Sequence, residues 1–293
     1  MSRVLIFLLA VAFAVQTEPR RMDVGGIELH YIQRGAGEPV ILLHGGQGDY
    51  RAWQPQIDVL SPRYRVVSYS RRYHFPNRNP LGANHSPIVD AGDLAALIAA
   101  LKLGPVHLVG TSVGAYTAMA FAMAHPELVR SMVLAEPPIH PWAAANPNGA
   151  ALYRTFMQDV HGKSSNAFRA GHDEDAMRIL IDEFDGRGAF DKLPPARREI
   201  VMANAPFFKA MAASKNPFPN LPRARFRQMQ VPVLVIRGAN TDALHAMDAE
   251  EVAKMFPNSS RVTIPDAGHG SPRQNPDAFN AAMLPFLDRH RGR

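Results

Sequence analysis

The 293-residue sequence contains no cysteine, so no disulfide can stabilise the protein in any compartment. Nor does it hold an apolar run long enough to span a bilayer. The stretch from Val4 to Val15 falls well short of the ~20 residues a membrane helix needs. Repeats of solenoid or propeller period and low-complexity tracts are also missing. Among the 12 histidines none forms an H-E-x-x-H or comparable spacing, so no metal site is implied and no cofactor is expected. The net charge is +6, but the basic residues come as short pairs (Arg20-Arg21, Arg71-Arg72, Arg197-Arg198) and as the spaced Arg223, Arg225 and Arg227. No aromatic-interleaved basic stripe accompanies them, which argues for a solvated surface and against nucleic-acid binding.

What is present is an ordinary globular composition, 46% hydrophobic and 20% charged. It suits one α/β domain carrying an insertion better than two independent domains. At the N-terminus, Arg3 precedes the Val4 to Val15 run, and Ala12-Phe13-Ala14 supplies a small-residue cleavage pattern. Residues 1–14 therefore read as a signal peptide, with export to a periplasmic or extracellular space and no membrane span in the mature chain. A short extension from a misassigned start, with a cytoplasmic protein, is the competing reading.

From residue 22 onward the pattern becomes regular. Ile27 to Gly35 alternates apolar and polar residues like a half-exposed strand. Short continuous apolar runs follow at Pro39 to Gly46, Arg65 to Ser70, Pro105 to Gly110, Ser131 to Glu136, Val231 to Gly238 and Arg261 to Pro265. Helical periods lie between them: Ile88 to Leu101, Val113 to His125, about Ala249 to Phe256, and Pro276 to His290. Strands alternating with helices predict a mostly parallel twisted sheet covered by helices on both faces. The alternation stops between residues 139 and 229. There the predicted elements are helices at Ala151 to Val160, Glu174 to Phe184, and Pro195 to Ala213, the last broken at Pro206. The expected organisation is an α/β core of residues 22–138 and 230–293, with residues 139–229 as a helical cap.

Three short segments carry chemistry. Gly110-Thr111-Ser112-Val113-Gly114 is a G-x-S-x-G sequence between an apolar strand and an Ala-rich helix, the context that motif requires. A sharp strand-to-helix turn there strains the serine backbone, exposes its oxygen, and admits only small neighbours. His44-Gly45-Gly46-Gln47-Gly48 also follows a buried strand. The expected oxyanion donors are the backbone N–H groups of Val113 and Gly46, with Gln47 as the alternative to Gly46. His269, in "IPDAGHGSP" after the last predicted strand, supplies an imidazole base that a serine hydroxyl needs. His44, His107 and His125 read as structural, whereas His74, His85 and His140 are candidates for the mouth of an active site.

Together, HGG after one strand, G-x-S-x-G after a later one, and A-G-H near the end resemble the α/β-hydrolase superfamily over about Met22 to Arg289. The resemblance implies the order nucleophile, acid, histidine, which leaves the acid to find. Most members place a carboxylate three residues after the glycine that ends "VPVLVIRG". Here that place is Thr241, and Asp242 comes one residue later. Some members instead carry the acid at the end of the preceding strand, which is Glu136. A carboxylate at the end of a buried strand costs free energy unless something uses it. Glu136 is therefore favoured over Asp242, and Asp266 lies too close to His269 along the chain to approach it easily. A departure from the family pattern follows Ser70, where Arg72 replaces a glycine. Tyr73, His74 and Phe75 are candidates for the pocket rim.

The resulting expectation is a cofactor-independent serine hydrolase acting through an acyl-enzyme on a carboxylic ester or lactone of a small to medium, partly apolar substrate. Amide or C–C hydrolysis uses the same constellation, and the fold also supports cofactor-independent oxygenation, perhydrolysis, and non-catalytic ligand binding. Dehalogenase and epoxide hydrolase relatives use Asp where Ser112 stands, which sets those reactions aside. Trp142, Phe156, Met157, Phe184, Phe207 and Phe208 in the cap suit an apolar or aromatic substrate portion. The expected partner is a small molecule.

Overall fold

The computed structural model describes residues 18–292; the segment read as a signal peptide lies outside the described residues. Eight strands form one sheet in the order β1-β2-β4-β3-β5-β6-β7-β8. They are β1 (Arg20–Asp23), β2 (Glu28–Arg34), β3 (Pro39–Leu43), β4 (Arg65–Tyr69), β5 (Val106–Thr111), β6 (Val129–Ala135), β7 (Val233–Gly238) and β8 (Ser259–Ile264). β2 is antiparallel to both β1 and β4, and every other pairing is parallel.

The continuous apolar runs are explained by which face each residue serves. Alternate residues point to opposite faces of a sheet. Ile41, Leu43, Leu108, Met132 and Leu134 join one core with helices α2 (Pro87–Ala100), α3 (Val113–Ala124) and α11 (Ala243–Met255). Val40, Leu42, Val109, Val133 and Leu234 join a second core with α1 (Gln54–Leu60) and α13 (Pro276–Arg289). A strand covered on both sides has no solvent face, so period-2 polarity disappears from its sequence.

Between β6 and β7 the chain is helical, with α4 (His140–Ala143), α5 (Pro147–Thr155), α6 (Lys163–Arg169), α7 (Asp173–Asp185), α8 (Pro195–Ala203), α9 (Ala205–Ala213) and α10 (Arg223–Arg227). A π-helix, Phe156–Gly162, links α5 to α6. The expected helix from Ala151 to Val160 is thus the middle of a longer run. The break expected at Pro206 falls at Asn204, one residue ahead of α9. Short α12 (Ser271–Gln274) completes the set.

Several elements went unread in the sequence: the polar edge strand β1, helix α1, the short helices α4, α6, α10 and α12, and the first turns of α11. The last has a clear local cause. Asp242 N-caps α11, its carboxylate accepting from the N–H groups of Leu244 and His245, so the helix begins well before Ala249.

Candidate active site

The turn from β5 into α3 puts Ser112 at φ 53° and ψ −130°. That left-handed conformation costs a non-glycine residue about 1–3 kcal/mol and persists only where packing enforces it. The packing is visible at the two glycines of the motif. A Cβ on Gly110 would stand 2.7 Å from Ala115 Cα, and one on Gly114 would stand 2.2 Å from the Leu43 carbonyl oxygen. Both positions exclude any side chain, so α3 starts hard against the end of β3. The Ser112 N–H donates to Ala135 O (2.8 Å), tying the turn to the end of β6.

Glu136 follows β6 and is fully buried, with φ 46°. Its Oε2 lies 2.8 Å from His269 Nδ1 and accepts a second bond from Thr241 Oγ1 at 2.8 Å. Its Oε1 accepts from the Gly238 N–H at 2.7 Å. Gly238 must be glycine for this approach, because a Cβ would sit 2.3 Å from the carbonyl oxygens of both Ala267 and Gly268. Burial opposes the Glu136 charge, but the His269 bond and charge, the charge of His245 and the Gly238 N–H outweigh it and hold the carboxyl below its ordinary value. Burial likewise opposes a charged His269, and the Glu136 bond and charge outweigh it, so the imidazole is raised above 6.5. A carboxylate on Nδ1 fixes the tautomer and leaves Nε2 as the proton acceptor.

Asp242 does not share in this arrangement. Besides capping α11, its Oδ2 lies 2.6 Å from His245 Nδ1. The His245 ring sits 4.1 Å, centroid to centroid, from the His269 ring. Asp266 is exposed.

Ser112, Val113, Gly46, Gln47 and His269 line one cavity of about 150 Å³. Phe207 and Phe208 of α9 press on the loop after β3, so a Cβ on Gly46 would stand 2.7 Å from Phe208 Cζ and 2.9 Å from Phe207 Cε1. Phe156 and Phe184 also face the cavity. Trp142 is packed elsewhere, beneath Arg223 and against Phe226. His44 is structural: Nδ1 donates to Gly45 O (2.8 Å) and Nε2 accepts from the Arg71 N–H (3.1 Å). Burial pushes that ring down to about 3, which keeps it neutral.

Of the three histidines taken as candidates for the mouth, only His140 lines the cavity. His74 and His85 are buried behind Phe207, His74 stacked on its ring at 4.5 Å. Tyr73 is buried too, and Phe75, 40% exposed, stacks with Arg51 rather than lining the cavity. The reason is the pair of arginines in this loop, Arg71 and Arg72, the second standing where a glycine was expected. Arg71 binds buried Asp90 (2.5 Å) and Arg72 grips Asp93 (2.6 Å), turning this loop into α2.

Arg197 of α8 is a site residue the sequence did not single out. It lines the cavity, and its guanidinium donates to Gln47 Oε1 (3.0 Å) rather than to a carboxylate. Burial, then the charge of Arg273, pushes it down to about 10, still protonated at neutral pH. Nearby Arg273 is neutralised by Asp185 at 3.0 Å. The cavity therefore carries one uncompensated positive charge beside the loop of Gly46 and Gln47. No cluster of three or more groups placed to hold a metal ion occurs among the described residues, nor is any helix there long and apolar enough to cross a membrane.

Comparison with known proteins gives the same fold. The chain is 28% identical to 2-hydroxy-6-oxononadienedioate/2-hydroxy-6-oxononatrienedioate hydrolase 2 of Pseudomonas putida, over 89% of its own length and 92% of that protein. The enol-lactonase from Burkholderia xenovorans LB400 superposes with a TM-score of 0.75 at 21% identity, covering 92% of this chain and 100% of that one. A bromoperoxidase from Bacillus anthracis superposes at 0.71 and 22% identity, covering 92% and 99%. The model of the alpha/beta hydrolase family matches residues 40–282, and the protein belongs to that family.

Proposed function

We propose that the protein is a serine hydrolase that cleaves a carboxylic ester or lactone, with Ser112 as nucleophile, His269 as base and Glu136 as the acid. The observation that carries this reading is the shared cavity: a strained Ser112 and a His269 oriented by a buried carboxylate open onto the same space. His269 Nε2 takes the Ser112 hydroxyl proton as Oγ attacks the carbonyl carbon. The N–H groups of Val113 and Gly46 hold the developing oxyanion, helped by the N-terminus of α3. His269 then passes the proton to the leaving alkoxide. A water molecule, deprotonated by the same nitrogen, releases the acyl group as an acid.

The helices between β6 and β7 serve as the lid, and their phenylalanines suit an apolar acyl or alcohol portion. Arg197 supports a substrate that also bears a carboxylate. The Pseudomonas relative is named for a dioate, which fits that feature. The test is a series of p-nitrophenyl esters with the wild type and Ser112→Ala, together with labelling by a fluorophosphonate. Turnover and labelling that both vanish in Ser112→Ala sustain the reading. A wild type that is neither labelled nor active on esters overturns it. Peroxide-dependent halogenation or C–C cleavage by that same protein would then name the replacement.

A further inference from the structure

His140 and Asp248 form a buried pair that the chemistry above leaves unused. His140, the first residue of α4, and Asp248, on α11, are both fully buried, and His140 Nδ1 lies 2.6 Å from Asp248 Oδ2. The His140 ring also lines the cavity that holds Ser112. It is walled by Phe156 (centroids 4.7 Å apart) and Phe218 (5.0 Å), with the His245 ring at 5.4 Å. In this setting His140 Nε2 is buried and has no hydrogen-bond partner. An unpaired buried polar atom costs folding free energy unless a ligand satisfies it, and of the unpaired histidines considered for the mouth only His140 lines the cavity.

Burial drives both members of the pair toward their uncharged forms, lowering His140 to about 3 and raising Asp248 well above the ordinary carboxylate range. The pair then holds one proton between Asp248 Oδ2 and His140 Nδ1. With that proton on Asp248 Oδ2, the carboxyl donates to Nδ1 and the neutral imidazole carries its single N–H on Nε2, a donor there. The nearby titratable groups are Asp242, His245, His269 and Glu136, with His161, Tyr116 and Tyr153, and His245 and Asp242 already satisfy one another.

A second orphan lies on the same cavity. Ser165 of α6 is 5% exposed, lines the pocket, and its Oγ has no partner. Its neighbour Ser164, by contrast, donates to His161 O. The π-helix matters here. Its i→i+5 bonding brings residues five apart toward one side, which an α-helix would not do, and Phe156 and His161 both face the cavity.

We propose that His140 Nε2–H, assisted by Ser165 Oγ, is a specificity anchor for a carbonyl oxygen carried in the otherwise apolar part of the substrate. A neutral donor pair among phenylalanines matches a neutral acceptor. It offers no charge to a carboxylate, which Arg197 provides for. The inference rests on the ester reading and refines its substrate class to oxo-esters or oxo-acyl lactones.

The experiment compares p-nitrophenyl hexanoate with its 4-oxo and 5-oxo analogues. In the wild type, kcat/KM for at least one oxo ester exceeds that for the plain ester about tenfold, as one well-made hydrogen bond allows. That ratio falls toward one in His140→Phe/Asp248→Leu, which removes both polar partners together, and drops severalfold in Ser165→Ala. The readout is the ratio of oxo to plain ester, because His140 and Ser165 both line the cavity and a change common to both esters cancels in it. A wild type showing no oxo preference, or a preference that survives the double variant, overturns the proposal. Binding to Ser112→Ala decides the matter independently of turnover and of the double variant's folding. The ¹⁵N-labelled His140 Nε2–H resonance shifts on adding an oxo ester and not hexanoate if the proposal holds. An unmoved signal overturns it. Failure of every ester to turn over sinks the ester reading alone, and the resonance still decides His140.

Discussion

Thr241 Oγ1 and His269 Nδ1 converge on the same oxygen of Glu136, each at 2.8 Å. Thr241 occupies the loop position where most relatives of this fold carry the acid. With the carboxylate moved to the end of β6, that position holds a hydroxyl that donates to the relocated group. The two strand ends are adjacent in the sheet, with Ala135 opposite Ile236, and the Glu136 N–H donates to Ile236 O at 3.1 Å.

The first prediction separates the two carboxylates. Glu136→Gln loses on the order of a thousandfold or more in kcat, the usual cost of disrupting a triad. Asp242→Asn keeps kcat within severalfold and costs about 1 kcal/mol of stability through the weakened cap on α11. Ester kinetics beside a denaturant titration distinguishes them. A crippled Asp242→Asn with an active Glu136→Gln would reverse the assignment.

Thr241→Val removes one donor from Glu136 while keeping the shape. A net loss of about 1 kcal/mol corresponds to roughly fivefold in kcat/KM. Glu136→Ala/Thr241→Asp, which moves the carboxylate across to β7, recovers part of what Glu136→Ala loses. Stopped-flow acylation rates report both.

The pH profile follows from the raised His269. The base must be neutral to accept the Ser112 proton, so kcat/KM rises with pH through the pKa of the free enzyme. Because the imidazole is held above 6.5, the acid limb has its midpoint above that value. Removing the negative charge in Glu136→Gln destabilises the imidazolium and moves the limb to lower pH, even as the plateau falls. A limb that stays put would mean that Glu136 does not set the protonation of His269.

Two glycine substitutions should act in opposite directions. Gly114→Ala drives a carbon to 2.2 Å from Leu43 O, and overpacking of that kind costs at least about 1–3 kcal/mol. Melting drops by roughly 2–5 °C or more. Gly92 lies exposed within α2, with open space around a new Cβ. Gly92→Ala there gains about 0.5–1 kcal/mol through helix propensity. Thermal denaturation of the pair measures both.

Arg197→Met should cut kcat/KM for an ester whose acyl chain ends in a carboxylate about tenfold or more. Hydrolysis of a neutral ester of the same length stays nearly unchanged, because the arginine's own bonds go to Gln47 alone. Equal losses on both substrates would make the residue a support for the loop rather than an anion site.

The core was legible in the sequence where local signals and tertiary burial agree. Strands covered on both faces read as apolar runs, and the glycines around Ser112 announced a turn that admits no side chain. β1 was not legible, because four largely polar residues gain strand structure only by pairing with β2. Nor was the start of α11, since Asp242 was weighed as an acid and its capping bonds reach only three residues ahead. The histidines show the same limit. His74 and His140 have similar Pro- and aromatic-rich neighbours in sequence. Only the salt bridges of Arg71 and Arg72 and the position of Phe207 decide that one is sealed away and the other faces the cavity.

The helices between β6 and β7 are not attached evenly. The chain leaves β6 through Glu136 and two prolines, and α4 and α5 are riveted to α11. Asn146 reaches Met247, Gly149 has no room for a Cβ beside Met247, and Arg223 spans Trp142 O and Glu251. On the other side buried Asn204 bonds Asp49 and accepts from the Phe75 N–H, Arg197 bonds Gln47, Asp185 pairs with Arg273, and Phe207 stacks on His74. A swing of the whole insertion would therefore tug on Glu136, the carboxylate bonded to His269. The α7–α9 side brings Phe184, Phe207, Phe208 and Arg197 to the same cavity that His140 lines from the other half, so the two unlike attachments of the insertion meet across one space.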